Sequence, residues 1–435
     1  MAGGNGTAGN GLAADIDRDR FLREGYLVVP EVIEPARLPE VRRAYEILVE
    51  RQRAVWAAER EPGDPPGGMW ETARQPRLHL SRELGAQVDG SCAAAVEIWT
   101  RDRLRAVADR LLGVEDAGAT ELMMMCSPVR DHGPANWHRD IHPIDTAPLR
   151  GYIDDIVENG PAYIQWNIPL YDDDVLWVMP GTHVRVNTDR ENRLLLEDNR
   201  RPLPDAVQTH LRAGDGVVYI TPILHWGSNY SARLRRTVHG GFSPFALREE
   251  DPFVDHLQPP AQEIFRRWRR ASDIKKDRTE AALRAALAGD ASAYDRALAA
   301  LRPGVAEKGK LLQTVFLTKA ALFIRLCKRP ELRSTVPERV AASSATQHPI
   351  TLNYGPRFAE RFTPDEAELL WRRFAPMEAR LNGDEEGFMP GFQAERMHHS
   401  FVDMPAGFGV AELTATWAQV DTVEIPRRLR GSDPS

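Results

Sequence analysis

Hydrophobic and polar positions change their rhythm twice along the chain. From residue 15 to about 115 the spacing is mostly helical. "RDRFLREG", with Asp15 as its cap and Gly25 as its stop, predicts a short helix. "YLVVPEVI" predicts a strand that runs into a turn at Pro30. In "PARLPEVRRAYEILVERQRAVWAAER" the apolar positions Val41, Ala44, Ile47 and Leu48 recur at helical intervals, the stripe of an amphipathic helix. "EPGDPPGG", residues 61–68, is a loop. "AAAVEIWTRDRLRAVADRLLG" predicts another helix, ended by Gly113.

Near residue 120 the period shortens. "ELMMMCSPV", "PAYIQWNIPLY", "VLWVMPGTH", "GDGVVYITPILHW" and "RRTVHGGFSPF" are rich in β-branched and aromatic residues and are separated by Gly, Pro, Asp and Asn. Short strands punctuated in this way predict a β-sandwich or barrel. The polar, arginine-rich stretch from about 184 to 210 interrupts them and is expected to be a surface loop or lid. After residue 250 the helical period returns. Its most apolar run, "LLQTVFLTKAALFIRLC" at 311–327, carries Gln313, Lys319 and Arg325 and is short for a membrane span, so a buried amphipathic helix is expected. There is no internal repeat.

Composition narrows the function classes only slightly. At 435 residues the chain can hold two or three domains, or one large domain with an appendage. A formal net charge of −7 argues against a nucleic-acid binder, which usually carries a basic footprint. Cys92, Cys126 and Cys327 are odd in number and far apart, and no CxxC occurs. That argues against a disulfide framework or a zinc ribbon and fits a reducing cytoplasm. "MAGGNGTAGNGLAA" has neither the basic nor the apolar region of a signal peptide and reads as a disordered tail, residues 1–14. The expected organisation is a β domain over 15–250 and a mainly helical extension over 251–435 packed on it.

The chemistry concentrates in "NWHRDIHP", residues 136–143. On an extended backbone His138 and Asp140 share a face, while Trp137 and Arg139 point the other way. An imidazole and a carboxylate side by side supply two ligands of a facial triad, which leaves positions on the metal open. H-x-D alone is weakly specific. A second histidine, His225, ends the strand "GDGVVYITPILH" 85 residues after Asp140. Arg235 and Arg236 follow ten and eleven residues later, and a guanidinium can hold a carboxylate through two parallel bonds. Two histidines, an aspartate and a distal arginine would suit Fe(II), 2-oxoglutarate and O2. A zinc hydrolase built on the same three ligands remains open but leaves the arginine pair without a task. A non-catalytic jelly-roll binding protein would not need all three ligands.

These pieces, in this order, resemble the phytanoyl-CoA dioxygenase-like family of Fe(II)/2-oxoglutarate oxygenases. "FLREGYLVVPEVI" is similar to the family's opening, "WHRD" to its proximal ligand motif, "YDDDVLWVMPGTH" to its turn, and "GDGVVYITPILHWGSNYSARLRR" to its distal histidine and arginine segment. The resemblance spans roughly residues 15–245. It implies a double-stranded β-helix, a cupin-like jelly roll flanked by helices. It implies His138, Asp140 and His225 as iron ligands, and hydroxylation of an unactivated C–H in a small molecule, with a secondary metabolite the preferred substrate. Counting from His225 selects Arg236 as the cosubstrate anchor. Counting from Asn229 selects Arg235, with Thr237 and His239 beside it. The retained Asp140 disfavours halogenation.

Gln165 and Asn167 alternate on one strand and are candidates for contact with 2-oxoglutarate. Trp137, Arg139, Arg130 and His142 flank the metal motif and are candidates for the substrate pocket. His183 is expected to fix its turn. Asp172, Asp173 and Asp174 are expected to be solvated loop charges, and Met123 to Met125 core packing. His398 and His399 lack a carboxylate or cysteine pattern for a second metal. No nucleic-acid or membrane partner is expected, and the sequence leaves the oligomeric state open.

Overall fold

The computed structural model describes residues 11–80, 83–141, 146–244, 251–336, 354, 356–381, 390–391 and 403–420. His142, His398 and His399 lie outside them. The first helix, α1 (Arg18–Glu24), is capped by Asp17, whose carboxylate accepts from the Arg20 N–H, and closed by left-handed Gly25. Asp15, expected as the cap, instead pairs with Arg103. After β1 (Tyr26–Val29) comes α2 (Leu38–Ala58), which buries Val41, Ala44, Tyr45 and Leu48 along one stripe. Then follow β2 (Arg77–His79), α3 (Asp102–Leu112) and β3 (Gly118–Cys126). The helix expected across 93–113 is broken at Arg101, whose extended backbone separates two short turns from α3.

Helix α4 (Leu149–Asn159) leads into β4 (Ile164–Pro169) and β5 (Trp177–Val178). The polar stretch expected as a loop contains α5 (Asp189–Glu197), started by a reciprocal capping box between Thr188 and Glu191. The remaining strands are β6 (Val207–Gln208), β7 (Gly216–Tyr219), β8 (His225–Trp226) and β9 (Arg236–Ser243).

Six strands form an antiparallel sheet in the order β1-β7-β4-β9-β3-β2, and three form a second in the order β6-β5-β8. Register sorts the side chains of the larger sheet onto two faces. Leu78, Met124, Val238 and Ile168 lie in one row, fully buried in the cluster that also takes the apolar stripe of α2. Fully burying side chains of this size is worth about 1.5–3 kcal/mol each. The opposite face carries Arg77, Met125 and Thr237 in one row, and His79, Met123, His239, Asn167 and Val217 in the next. This face meets the smaller sheet through a minor cluster in which Leu176, Val178 and Leu211 pack with Tyr26, Val217, Tyr219 and Ile223. The polar residues between the sheets therefore line an interior rather than a solvated surface.

The C-terminal helices are α6 (Pro259–Ala288), α7 (Ala291–Leu301), α8 (Glu307–Lys328), α9 (Pro364–Leu381) and α10 (Val410–Val420). One half of α6 contributes Ala261, Phe265 and Trp268 to the sheet-side cluster. Its other half contributes Ala282, Leu283 and Ala286 to a separate helical core. Helix α8 is the buried apolar run, and its Lys319 is neutralised by Glu378 at 2.7 Å. No helix among the described residues is long and apolar enough to cross a membrane. The architecture is an antiparallel sheet core with many helices around and beyond it.

Candidate metal centre

The centre forms where the loop after β3 runs against β8. The backbones of His138 and His225 exchange both N–H···O=C bonds, each 2.9 Å. This pairing sets their imidazoles side by side, tilted by 56° at a 4.3 Å centroid separation. Extended backbone then brings Asp140 back to the same side, two residues after His138. The His138 Nε2 lies 3.4 Å from Asp140 Oδ1, and the His225 Nε2 lies 3.4 Å from Asp140 Oδ2. One donor atom from each residue falls within 4.8 Å of the other two.

The donor chemistry fits a divalent metal. His138 Nδ1–H donates to the Asn136 carbonyl at 2.7 Å, and His225 Nδ1–H donates to the Ile223 carbonyl at 3.1 Å. Each bond fixes the tautomer and turns the Nε2 lone pair toward Asp140. Burial, reinforced by the neighbouring His225, drops the His138 pKa to about 4, so it stands as a neutral donor. Burial opposes the charge on Asp140, but the two imidazoles and Gln165 outweigh it and keep the carboxylate ionised well below its ordinary range. For His225 the adjacent Asp140 outweighs burial and raises the pKa.

Gln165, expected to contact a cosubstrate, is already engaged elsewhere. Its Nε2 donates to Asp140 Oδ2 and to the Tyr219 hydroxyl, each at 2.7 Å, and its Oε1 accepts from Tyr163 at 3.4 Å. The bond to Oδ2 helps to fix the orientation of the aspartate. Gln165→Leu is expected to lower metal affinity by roughly 10- to 100-fold in an anaerobic Fe(II) titration, with unchanged circular dichroism. Asn167 accepts from His239 Nδ1–H at 2.5 Å through its Oδ1. Its Nδ2 has no hydrogen-bond partner among the described residues and stays available to a ligand.

His239 gives the site a pH signature. Burial, with Arg77 next, lowers its pKa to about 3, below the roughly 6.5 of an unfolded histidine. The unfolded chain takes up this proton first. The contribution to stability is therefore full above about pH 6.5 and is lost as the pH falls toward 3. At about 1.4 kcal/mol per pKa unit this is a few kcal/mol. Denaturant melts between pH 7 and 4 should show the loss, and His239→Gln should flatten it.

Register separates the two candidate arginines onto opposite faces. Arg236 pairs with Cys126 on β3 and faces the helical side, where Glu46 binds it at 2.8 Å and the Trp70 ring lies near it. That is the wrong face for a cosubstrate, and the expectation for Arg236 is corrected. Arg235 falls with Thr237 and His239 on the inner face. It is mostly buried, and its Nε donates to Asp173 Oδ2 at 2.7 Å. Its charge is felt by Tyr219 and His239. Asp173, expected as a solvated loop charge, is buried and is a structural partner of Arg235 and Thr237.

Two expected substrate contacts are also corrected. Trp137 is buried against Trp226 at 5.5 Å, and its indole N–H donates to the Arg201 carbonyl. Arg139 is fully buried and donates to the carbonyls of Thr182, Pro222 and Arg185 and to Asn187 Oδ1. The alternation that puts His138 and Asp140 on the metal face sends both of these into the layer behind it. Arg130 is exposed on the loop after β3. His183 holds its turn by bonding the Leu22 carbonyl. Sequence reading passed over Tyr219 and Arg77. The alternation in "RLHL", with Leu78 and Leu80 buried, was the signal that would have set Arg77 and His79 on the inner face.

A two-histidine, one-carboxylate metal site set between antiparallel sheets defines the class. The model of the phytanoyl-CoA dioxygenase (PhyH) family matches residues 21–237, and through that segment the chain belongs to the family. It is a dioxygenase-type oxidoreductase. No curated protein matches the chain significantly. Solved structures with partial likeness include the non-haem α-ketoglutarate-dependent epimerase SnoN of nogalamycin biosynthesis, 19% identical, covering 52% of this chain and 81% of its own, TM-score 0.35. AviO1 from Streptomyces viridochromogenes Tue57 is 19% identical, covering 54% and 96%, TM-score 0.36. EctD from S. alaskensis, determined with 2-oxoglutarate and 5-hydroxyectoine, is 16% identical, covering 56% and 80%, TM-score 0.38.

Proposed function

We propose that the chain is an Fe(II)- and 2-oxoglutarate-dependent dioxygenase that hydroxylates an unactivated C–H bond of a small molecule. The observation that carries this reading is the convergence of His138, Asp140 and His225 with both Nε2 lone pairs directed to one point. Three protein ligands leave coordination positions open for the cosubstrate and O2. Bound iron with 2-oxoglutarate and O2 supplies the oxidising power, and the cosubstrate leaves as succinate and CO2.

The chain's own residues position and shield. His138, Asp140 and His225 hold the metal, and Gln165 fixes the carboxylate. Arg235 binds the far carboxylate of 2-oxoglutarate, since it presents a guanidinium on the face of the larger sheet that looks toward the smaller one, which carries His225. Asn167 offers an amide N–H nearby. Trp137 and Trp226 wall off solvent behind the metal motif. The reading carries with it a double-stranded β-helix for the two sheets, with a catalytic unit over 15–250 and the helical extension over 251–435 packed on it.

Anaerobic addition of Fe(II) and 2-oxoglutarate should produce a weak metal-to-ligand charge-transfer band in the green. Succinate should then form when a substrate is supplied in air. Folded protein that retains zinc and shows no such band would overturn the reading.

A further inference from the structure

The inner face of the large sheet carries a second guanidinium, for which the metal, its ligands and the cosubstrate leave no task. Arg77 sits on β2, the edge strand, opposite Met125 and in the row that continues to Thr237. Its neighbour Leu78 points into the helical side and is fully buried, so alternation turns Arg77 and His79 inward. The side chain is exposed, and its Nε donates to Gln75 Oε1 at 2.8 Å. It has no ion-pair partner among the described residues. Arg235 differs on both counts, being mostly buried and neutralised by Asp173.

Arg77 is also placed beside the site. Its row lies next to the one that carries Met123, His239 and Asn167 on the same inner face. A cation on that face that also reaches solvent at the sheet edge is positioned to meet a ligand arriving from outside. The terminal nitrogens form a planar fork suited to a carboxylate. Beside it Met123 and Met125 are buried and provide an apolar floor.

We propose that Arg77 is a specificity-determining residue that binds an anionic group, a carboxylate, on the substrate, so that the enzyme acts on organic acids. This rests on the dioxygenase reading above. The same chemistry could come from the cosubstrate, but Arg235 and the metal already account for the two ends of 2-oxoglutarate. A third anchor at the exposed edge fits the other ligand.

The test compares matched probes: aliphatic and aromatic carboxylic acids and the primary amides of the same skeletons. Two readouts are used, thermal stabilisation of the metal-free protein and perturbation of the anaerobic Fe(II)/2-oxoglutarate charge-transfer band. At least one acid should stabilise the wild-type chain where its amide does not. Arg77→Gln should weaken that acid tenfold or more and Arg77→Lys should restore part of it, while the affinity for 2-oxoglutarate changes less than twofold. The proposal is overturned if amides act as well as acids, if no acid acts on the wild-type chain, or if Arg77→Gln loses 2-oxoglutarate instead. A wild-type chain that lacks the charge-transfer band while its acid response still depends on Arg77 would sink the dioxygenase reading and leave the Arg77 assignment standing.

Discussion

Asp140→Asn is expected to abolish succinate formation and to lower Fe(II) affinity by more than the roughly 100-fold upper end of changes made outside the ligand set. The amide keeps the shape of the carboxylate and can still meet Gln165. What it removes is the negative charge that two imidazoles hold between them at 3.4 Å. Without that charge the metal loses its only anionic protein ligand. An anaerobic Fe(II) titration gives the affinity, and a denaturant melt separates loss of metal from loss of fold. Retention of iron at wild-type affinity would sink the assignment of the triad.

The second large effect concerns Arg235. Arg235→Ala is expected to raise the dissociation constant of 2-oxoglutarate roughly 30-fold or more, the equivalent of about 2 kcal/mol or above for the loss of a buried charged hydrogen-bond partner. Part of that loss is repulsion of the anionic cosubstrate by the Asp173 carboxylate, left without its cation, whose burial also costs fold stability. Arg235→Lys keeps the charge and separates the two contributions. Arg236→Ala is the control. It breaks the pair with Glu46 on the far face and should leave cosubstrate affinity within about twofold while costing some stability. The reverse outcome, with Arg236 controlling affinity, would mean that the register of β9 is wrong.

The parts of the site legible in the sequence were those governed by short-range periodicity. H-x-D on extended backbone fixed which side of the chain His138 and Asp140 share, and the strand before His225 was apolar enough to read. The same period identified Arg235, Thr237 and His239 as companions once the register was taken from Asn229. Side chains whose environment is set by distant partners were not legible. Trp137 and Arg139 looked like pocket residues because they flank the motif. Their burial depends on Trp226, Thr182 and Pro222, from other parts of the chain. Asp173 reads as one of three acids in a turn, and only the arrival of Arg235 from 62 positions away makes it a buried partner. The broken helix at Arg101 and the capped helix at 189–197 follow local signals, but the surrounding polar sequence hides them.

The described residues Pro390 and Gly391 touch the metal loop from far along the chain. The Gly391 carbonyl accepts the Arg139 N–H at 2.8 Å, between the two ligands of the H-x-D motif, and the Pro390 carbonyl accepts from Asn187, which itself holds the Arg139 guanidinium. A stop codon anywhere between residues 244 and 390 would therefore remove a peptide acceptor from directly behind the metal motif. The segment that matches the family, isolated by itself, would carry His138, Asp140, His225 and Arg235 and still lack part of the frame that holds them.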